Sequence, residues 1–223
     1  MHHPQVVTDT TILGPNQQQL YEEHMQGCSD YYTARGHDGH HSCWDTERQR
    51  IDMNLRQPQS MYNYSRNGFV KIRAPEAVWK MIQTFWETNR HELLEEEWGV
   101  GSIFVNHWKV PAQFVAIHNE SLPGGGSLFE NHIWNAARDT LRDWTGYEMA
   151  DCTCYGIRVY QGGAVLAPHV DRLPLVSSAI LNVDQDVDEP WPLEVIGHDG
   201  LAHNITMVGE EKQTISLYGV LMQ

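Results

Sequence analysis

The chain has 223 residues, of which 41% are hydrophobic and 10% aromatic, and its formal net charge is −14. This length and composition indicate one sizeable folded domain or two small ones, and they exclude a fully disordered chain. An acidic protein repels nucleic-acid phosphates, and no Lys/Arg-rich run offsets the charge, so nucleic acid is not expected as a partner.

The sequence carries no signal for a membrane or a secretory route. No apolar run is long enough to span a bilayer and no signal peptide follows Met1, so we expect a cytoplasmic protein without a membrane partner. Cys152 and Cys154 share one strand face, which predicts reduced core thiols. Cys28 and Cys43 could form a disulfide if the protein entered an oxidising compartment.

The chain divides by composition near its first quarter. Residues 1–56 are polar, with scattered glycine and no sustained hydrophobic period, which predicts a mobile extension with one or two short helices. Residues 57–223 are expected to form the folded domain. Within it, Pro75 and Glu76 suit the first turn of a helix. The apolar stripe that follows at helical spacing consists of Val78, Met81, Ile82, Phe85 and Trp86.

A second helix is predicted from about Glu130 to Thr145. Gly146 is well placed to end it, since glycine readily adopts the left-handed conformation that terminates helices. Both helices are expected to pack on a sheet through their apolar stripes. In the second helix that stripe consists of Ile133, Trp134, Ala137, Leu141 and Trp144.

The last third of the chain is rich in predicted strands. Ile157 and Val159 alternate with Arg158 and Tyr160, which is typical of a strand with one buried face. Further strands are predicted over residues 175–183, 193–198 and 202–207.

His169 and Asp171 stand two residues apart at the predicted start of a strand. Side chains at i and i+2 of a strand share a face about 6–7 Å apart, so the pair can converge on one ion while Val170 enters the core. Two histidines and one carboxylate form the ligand set of non-haem Fe(II) oxygenases, and His-x-Asp supplies two of the three. The ordinary alternative is a surface pair or two satisfied hydrogen-bond partners.

The residues around this pair carry a family resemblance. Tyr160, a Gly-Gly turn, Pro168-His169-x-Asp171 and the apolar run of residues 175–182 follow one another. This pattern resembles the prolyl-4-hydroxylase-like branch of the Fe(II)/2-oxoglutarate-dependent dioxygenases.

The resemblance is specific over residues 155–196 and looser over residues 57–207. It implies an α+β fold with a double-stranded β-helix (jelly-roll) core and supporting N-terminal helices. It implies that His169 and Asp171 bind the metal and that Tyr160 lies against 2-oxoglutarate. The alternative for Tyr160 is a core tyrosine whose hydroxyl is bonded nearby.

The family's activity is oxidative decarboxylation of 2-oxoglutarate to succinate and CO₂, coupled to hydroxylation of a substrate C–H bond. The resemblance therefore implies an oxidoreductase that uses Fe(II), 2-oxoglutarate and dioxygen, with ascorbate as an accessory reductant. A peptidyl or small-molecule substrate, such as a prolyl side chain, is expected, although fold analogy does not transfer substrate identity. A jelly-roll binding module that needs no metal is the alternative from another class.

The sequence departs from the family pattern after Met207. The family places a second metal-binding histidine on a later strand and a basic residue about ten positions beyond it, against the distal carboxylate of 2-oxoglutarate. Here no histidine follows His203, and the only basic residue is Lys212. Three explanations are open: His198 or His203 as the third ligand, completion by a partner chain, or an altered C-terminus.

Two consequences are expected from this departure. The last strands of the jelly roll would be incomplete, leaving apolar edges unpaired. Loss of a partner that merely orients a ligand costs about 10–100-fold in metal affinity, so loss of a ligand should cost at least as much. Weak metal binding and little turnover are therefore expected, and a catalytically inactive relative is the alternative function.

Overall fold

The computed structural model describes residues 15–100, 106–206 and 214–219, with backbone alone at 15–18 and 214–219. These residues form four α-helices and eight strands, and the helices lie in the first two thirds of the chain. The helices are α1 (Pro15–Thr33), α2 (Thr46–Ser60), α3 (Glu76–Asn89) and α4 (Ser127–Thr145), and a π-helical turn (His41–Asp45) precedes α2. The strands are β1 (Phe69–Arg73), β2 (Leu94–Glu95), β3 (Gln113–Ala116), β4 (Gly156–Val159), β5 (Ser177–Leu181), β6 (Leu193–Ile196), β7 (Ala202–Ile205) and β8 (Thr214–Gly219). None of the described helices combines the length and apolarity needed to cross a bilayer.

The strands form small antiparallel sheets. The first sheet has the order β1-β8-β5 and the second β2-β3-β4, while β6 and β7 form a separate hairpin. The described residues do not form a closed barrel. The predicted α+β class is therefore confirmed.

Strand β8 bears on the expectation of incomplete last strands, which stays a prediction. It lies between β1 and β5 and is antiparallel to both, with Ile215 opposite Ile72 on one side and Leu181 on the other. Its sequence Thr-Ile-Ser-Leu-Tyr alternates polar and apolar residues, which is the period of a strand with one buried face. The residues that depart from the family pattern thus supply the central strand of the first sheet.

Helices α3 and α4 confirm the two predicted apolar stripes. Val78, Ile82 and Phe85 of α3 are each no more than 5% exposed and share a core with Ile133 of α4. Burying a side chain of this size stabilises the fold by about 1.5–3 kcal/mol. Helix α4 begins three residues before the prediction and ends as predicted, because Gly146 adopts φ 77° and donates its N–H to the carbonyl of Arg142.

Residues 15–60 differ from the mobile polar extension that the composition predicted. Helix α1, the π-helical turn and α2 form a unit with a buried core of its own. The unit docks onto the rest of the chain where the Tyr32 hydroxyl donates to the carbonyl of Gly99 at 2.9 Å. Its core consists of Met25, Cys28, Tyr32 and Cys43, each no more than 2% exposed. The assignment of residues 57–223 to one dioxygenase-like domain stays a prediction.

A disulfide joins α1 to the π-helical turn. Cys28 and Cys43 are bonded across 6.1 Å between Cα atoms. Since disulfides persist mainly in oxidising compartments, this bridge weighs against the cytoplasmic expectation. The other two cysteines are free, as predicted, but Cys152 is exposed and is not a core thiol. Burial raises the pKa of the Cys154 thiol to about 11, with a smaller contribution from Glu130.

The docked face of α2 is polar. Its buried residues lie three or four apart, which places them on one side of the helix. Arg50 bonds both carboxylate oxygens of Glu47, at 2.6 and 2.7 Å, and the Tyr21 hydroxyl donates to the same carboxylate at 3.0 Å. This polar stripe of α2 consists of Glu47, Arg50, Asn54 and Gln57, which are 3%, 7%, 3% and 8% exposed.

Replacing Glu47 with alanine should destabilise the fold by about 3–5 kcal/mol, because it leaves the buried Arg50 guanidinium without its counter-charge. Chemical denaturation with urea measures the loss. Asp52→Ala is the matched control, since it breaks the exposed ion pair with Arg56 on the same helix and should cost less than about 1 kcal/mol. Equal losses in the two variants would contradict the assignment of a buried, structurally important pair.

Candidate metal centre

Residues 168–171 do not belong to a strand, and β5 begins only at Ser177. The prediction that His169 and Asp171 stand at the start of a strand is therefore wrong. Their side chains still alternate with that of Val170, which is 1% exposed. Val170 packs against Met53, Met61 and Ile196.

Within the described part of the chain no strand pairs with this segment, and α2 supplies partners for its backbone groups. Asn54 donates from Nδ2 to the Pro168 carbonyl at 2.9 Å and accepts the Val170 N–H at Oδ1, at 3.0 Å. Arg50 also donates to the Pro168 carbonyl, and Gln57 donates to the carbonyl of Asp171. Buried backbone groups need such partners, and here a helix supplies what a sheet would otherwise provide.

The side chains of His169 and Asp171 face each other. The distance between His169 Nε2 and Asp171 Oδ1 is 3.9 Å, and the two side chains are 16% and 27% exposed. His169 Nδ1 lies 2.9 Å from the Ala167 carbonyl. A carbonyl only accepts, so Nδ1 carries the proton and the lone pair of the neutral ring is at Nε2. The second oxygen of Asp171, Oδ2, accepts a hydrogen bond from the Ser178 hydroxyl.

The protonation state of His169 favours metal binding. Burial lowers the pKa of its imidazole below the ordinary value, and the charges of Arg158 and Arg50 lower it further. The Ala167 carbonyl and Asp171 offset part of this effect. The ring is therefore neutral at neutral pH, which is the form that coordinates a metal.

The pair fits two ligand positions of a divalent ion. First-row ions such as zinc bind nitrogen and oxygen at about 2.0–2.2 Å, so two such bonds can span the 3.9 Å between Nε2 and Oδ1. If the two metal–ligand bonds met at a right angle, Nε2 and Oδ1 would lie about 3 Å apart, so the two side chains must move slightly closer to bind one ion in that geometry. Metal-binding histidines commonly donate the other ring N–H to a carbonyl, as His169 does to Ala167.

A third ligand does not join the pair within the described part of the chain. No group of three or more His, Cys, Asp or Glu residues with metal-binding geometry occurs among residues 15–100, 106–206 and 214–219. His203 instead lies 3.0 Å from the Asp199 carboxylate in the β6–β7 hairpin, with its ring against Phe69. Neither His203 nor His198 therefore completes the site there. Lys212 lies outside the described residues.

Tyr160 belongs to a neighbouring polar cluster. Arg158 bonds both oxygens of Glu96 at 2.6 Å and donates to the Tyr160 hydroxyl at 3.2 Å. Burial raises the pKa of Tyr160, and the charge of Arg158 offsets part of that rise. The hydroxyl thus has the nearby partner expected of a core tyrosine, while its contact with 2-oxoglutarate stays a prediction. The positive charge of Arg158 also contributes to lowering the pKa of His169.

Sequence reasoning missed the residues that support the pair. Asn54 and Gln57 lie in a region predicted to be mobile or at its edge, and their polar spacing gives no hydrophobic signal. Ser178 lies in the predicted strand of residues 175–183, where alternation alone would have placed it on the same face as Ile180. Glu96 lies in the acidic run of residues 95–97, whose composition gives no sign that its partner is Arg158 of β4.

The chain matches none of the protein-family models, curated proteins or solved structures with which it was compared. Its function is therefore inferred from the His-x-Asp motif, the residues around it and their geometry.

The metal-free protein should lose stability on acidification through His169. The ring has a lowered pKa in the folded state and an ordinary pKa of about 6.5 in the unfolded chain. The unfolded state then binds more protons below about pH 6.5, so the contribution of His169 is complete above that pH and is lost as the pH falls. Urea denaturation between pH 7.5 and 5.5, with a chelator present, should show a steeper loss in the wild type than in His169→Gln. Parallel profiles would contradict this expectation.

Proposed function

We propose that this chain is an Fe(II)/2-oxoglutarate-dependent dioxygenase of the prolyl-4-hydroxylase-like kind, with His169 and Asp171 as metal ligands. The observation that carries the proposal is the convergence of the two side chains, with Nε2 and Oδ1 3.9 Å apart on the side opposite the buried Val170. A hard carboxylate and a neutral imidazole are donors that suit Fe(II).

Each residue around the pair has a defined part in this proposal. His169 and Asp171 would hold the iron, and the carbonyl of Ala167 fixes the ring tautomer that offers Nε2. Ser178 holds the second carboxylate oxygen of Asp171 and so leaves Oδ1 directed at His169. Bound iron and 2-oxoglutarate would supply the oxygen chemistry, while the protein supplies position and a partly enclosed site.

A jelly-roll core is part of the same proposal. The antiparallel sheets and the hairpin are the kind of strands that such a core contains, and the hairpin residues Val195 and Ile205 pack against Phe69 and Ile180 of the first sheet. Helices α1 to α3 precede most of these strands, as the resemblance implies for supporting helices.

The proposed co-substrates are 2-oxoglutarate and dioxygen, with ascorbate as an accessory reductant. Tyr160 is the proposed contact for 2-oxoglutarate, and its ring meets the half-exposed Trp191 edge-on at 6.4 Å between centroids. The proposed reaction is hydroxylation of a peptidyl or small-molecule substrate.

A catalytically inactive relative is the second candidate function. It is favoured because no third His, Cys, Asp or Glu joins His169 and Asp171 in a metal-binding group within the described residues. In addition, the guanidinium of Arg158, which donates to the Tyr160 hydroxyl, already bonds both oxygens of Glu96. An inactive relative would keep the fold and weak metal binding without turnover.

Metal titration tests the metal pair directly. The wild-type chain should bind Co(II) or anaerobic Fe(II), and His169→Ala and Asp171→Ala should each weaken binding by at least about 10–100-fold because each removes a ligand. Isothermal calorimetry measures the affinity, and His203→Ala is the matched control because it removes an imidazole outside the site. Unchanged affinity in the His169 and Asp171 variants would contradict the proposed metal ligands.

Succinate formation separates the two candidate functions. The assay supplies Fe(II), 2-oxoglutarate, ascorbate and dioxygen, with His169→Ala as the blank. Succinate above the blank supports the dioxygenase, and metal binding without succinate supports the inactive relative. A wild-type chain that binds no metal would contradict both and favour a metal-independent binding module.

A further inference from the structure

A helix side chain holds the metal pair's backbone in the way that a neighbouring strand would. The Pro168 carbonyl and the Val170 N–H belong to residues i and i+2, so in an extended segment both point to the same side. Asn54 bonds both of them, at 2.9 and 3.0 Å. One side-chain amide therefore bridges the backbone on either side of His169, as the N–H and C=O of one residue on a neighbouring strand do in a parallel sheet.

The chemistry of the two bonds fixes the orientation of the Asn54 amide. A backbone N–H can only donate and a carbonyl can only accept, so Oδ1 must face Val170 and Nδ2 must face Pro168. If the amide were rotated by 180°, its NH₂ group would face the Val170 N–H, so that donor met donor. Its oxygen would face the Pro168 carbonyl, so that acceptor met acceptor. Asn54 is 3% exposed and Val170 is 1% exposed, so water has little access to replace either bond.

We propose that Asn54 is a positioning residue for the metal pair, which sets the directions of the His169 and Asp171 side chains by clamping the backbone between Pro168 and Val170. This inference rests on the proposed function of the pair. Arg50 and Gln57 extend the clamp to the Pro168 and Asp171 carbonyls.

The clamp is itself held in place through α2. Arg50 bonds the buried Glu47 carboxylate, which also accepts from Tyr21 of α1. Val170 packs on Met53 of the same helix, so polar and apolar contacts of α2 act on one segment. Helix α2 therefore has a fixed position from which Asn54 can define the segment.

The test uses the full chain with three substitutions on α2, of which Asn54→Asp is described with the first readout, and one in the core. Asn54→Ala removes both bonds of the clamp. Gln49→Ala removes an exposed amide from the same helix and is the matched control. Val78→Ala shortens a buried side chain in the α3–α4 core, away from the segment, and controls for a general loss of stability.

The first readout is hydrogen–deuterium exchange at the Val170 amide in metal-free protein. Asn54→Ala should speed this exchange at least tenfold, since the amide loses its acceptor, while Gln49→Ala should leave it unchanged. Asn54→Asp, which keeps an oxygen acceptor, should retain more protection than Asn54→Ala and serves if the alanine variant fails to fold. Wild-type exchange in folded Asn54→Ala would overturn the clamp whether or not the protein binds metal.

The second readout is Co(II) affinity. Asn54→Ala should weaken it by about 10–100-fold, as expected for a residue that orients a ligand, while Val78→Ala and Gln49→Ala keep the wild-type affinity. Unchanged affinity in Asn54→Ala, with binding still lost in His169→Ala, would overturn the positioning role and leave the proposed metal site standing. Failure of the wild type to bind Co(II) would overturn the metal site. The exchange of the Val170 amide would still show whether Asn54 holds the backbone of the segment.

Discussion

The structure depends on how the backbone of residues 168–171, around the buried Val170, is satisfied. Among the described residues no strand pairs with this segment, yet a buried carbonyl or N–H without a partner is strongly unfavourable. Asn54, Arg50 and Gln57 supply the partners from one face of α2. The direction of the His169 and Asp171 side chains is therefore coupled to a helix more than 100 residues earlier in the chain.

This coupling explains why the N-terminal helices are part of the folded unit. A polar helix face is costly to bury unless its groups are bonded, and here the Glu47–Arg50 pair bonds within the helix and to Tyr21. The disulfide between Cys28 and Cys43 then ties α1 to the turn that leads into α2. The same residues thus satisfy each other and hold the proposed metal ligands.

Local patterns predicted the local structure well. The apolar stripes gave α3 and α4, the alternation around Ile157 gave β4, and the i, i+2 spacing placed His169 and Asp171 on one side. Hydrophobic periodicity could not find the polar stripe of α2, because its buried side chains are charged or amide groups. It also could not place β8 between β1 and β5, because strand order depends on contacts between residues far apart in sequence. For the same reason the pairing of Arg158 with Glu96 was missed.

The central claim is that His169 and Asp171 share one divalent ion. Anomalous diffraction from crystals grown anaerobically with Mn(II) tests it most directly, since manganese marks its own position without turnover. The account predicts an anomalous peak within bonding distance of both His169 Nε2 and Asp171 Oδ1, with the Asn54 clamp intact. A manganese peak elsewhere, or a crystal in which the two side chains point apart with no metal between them, would contradict it.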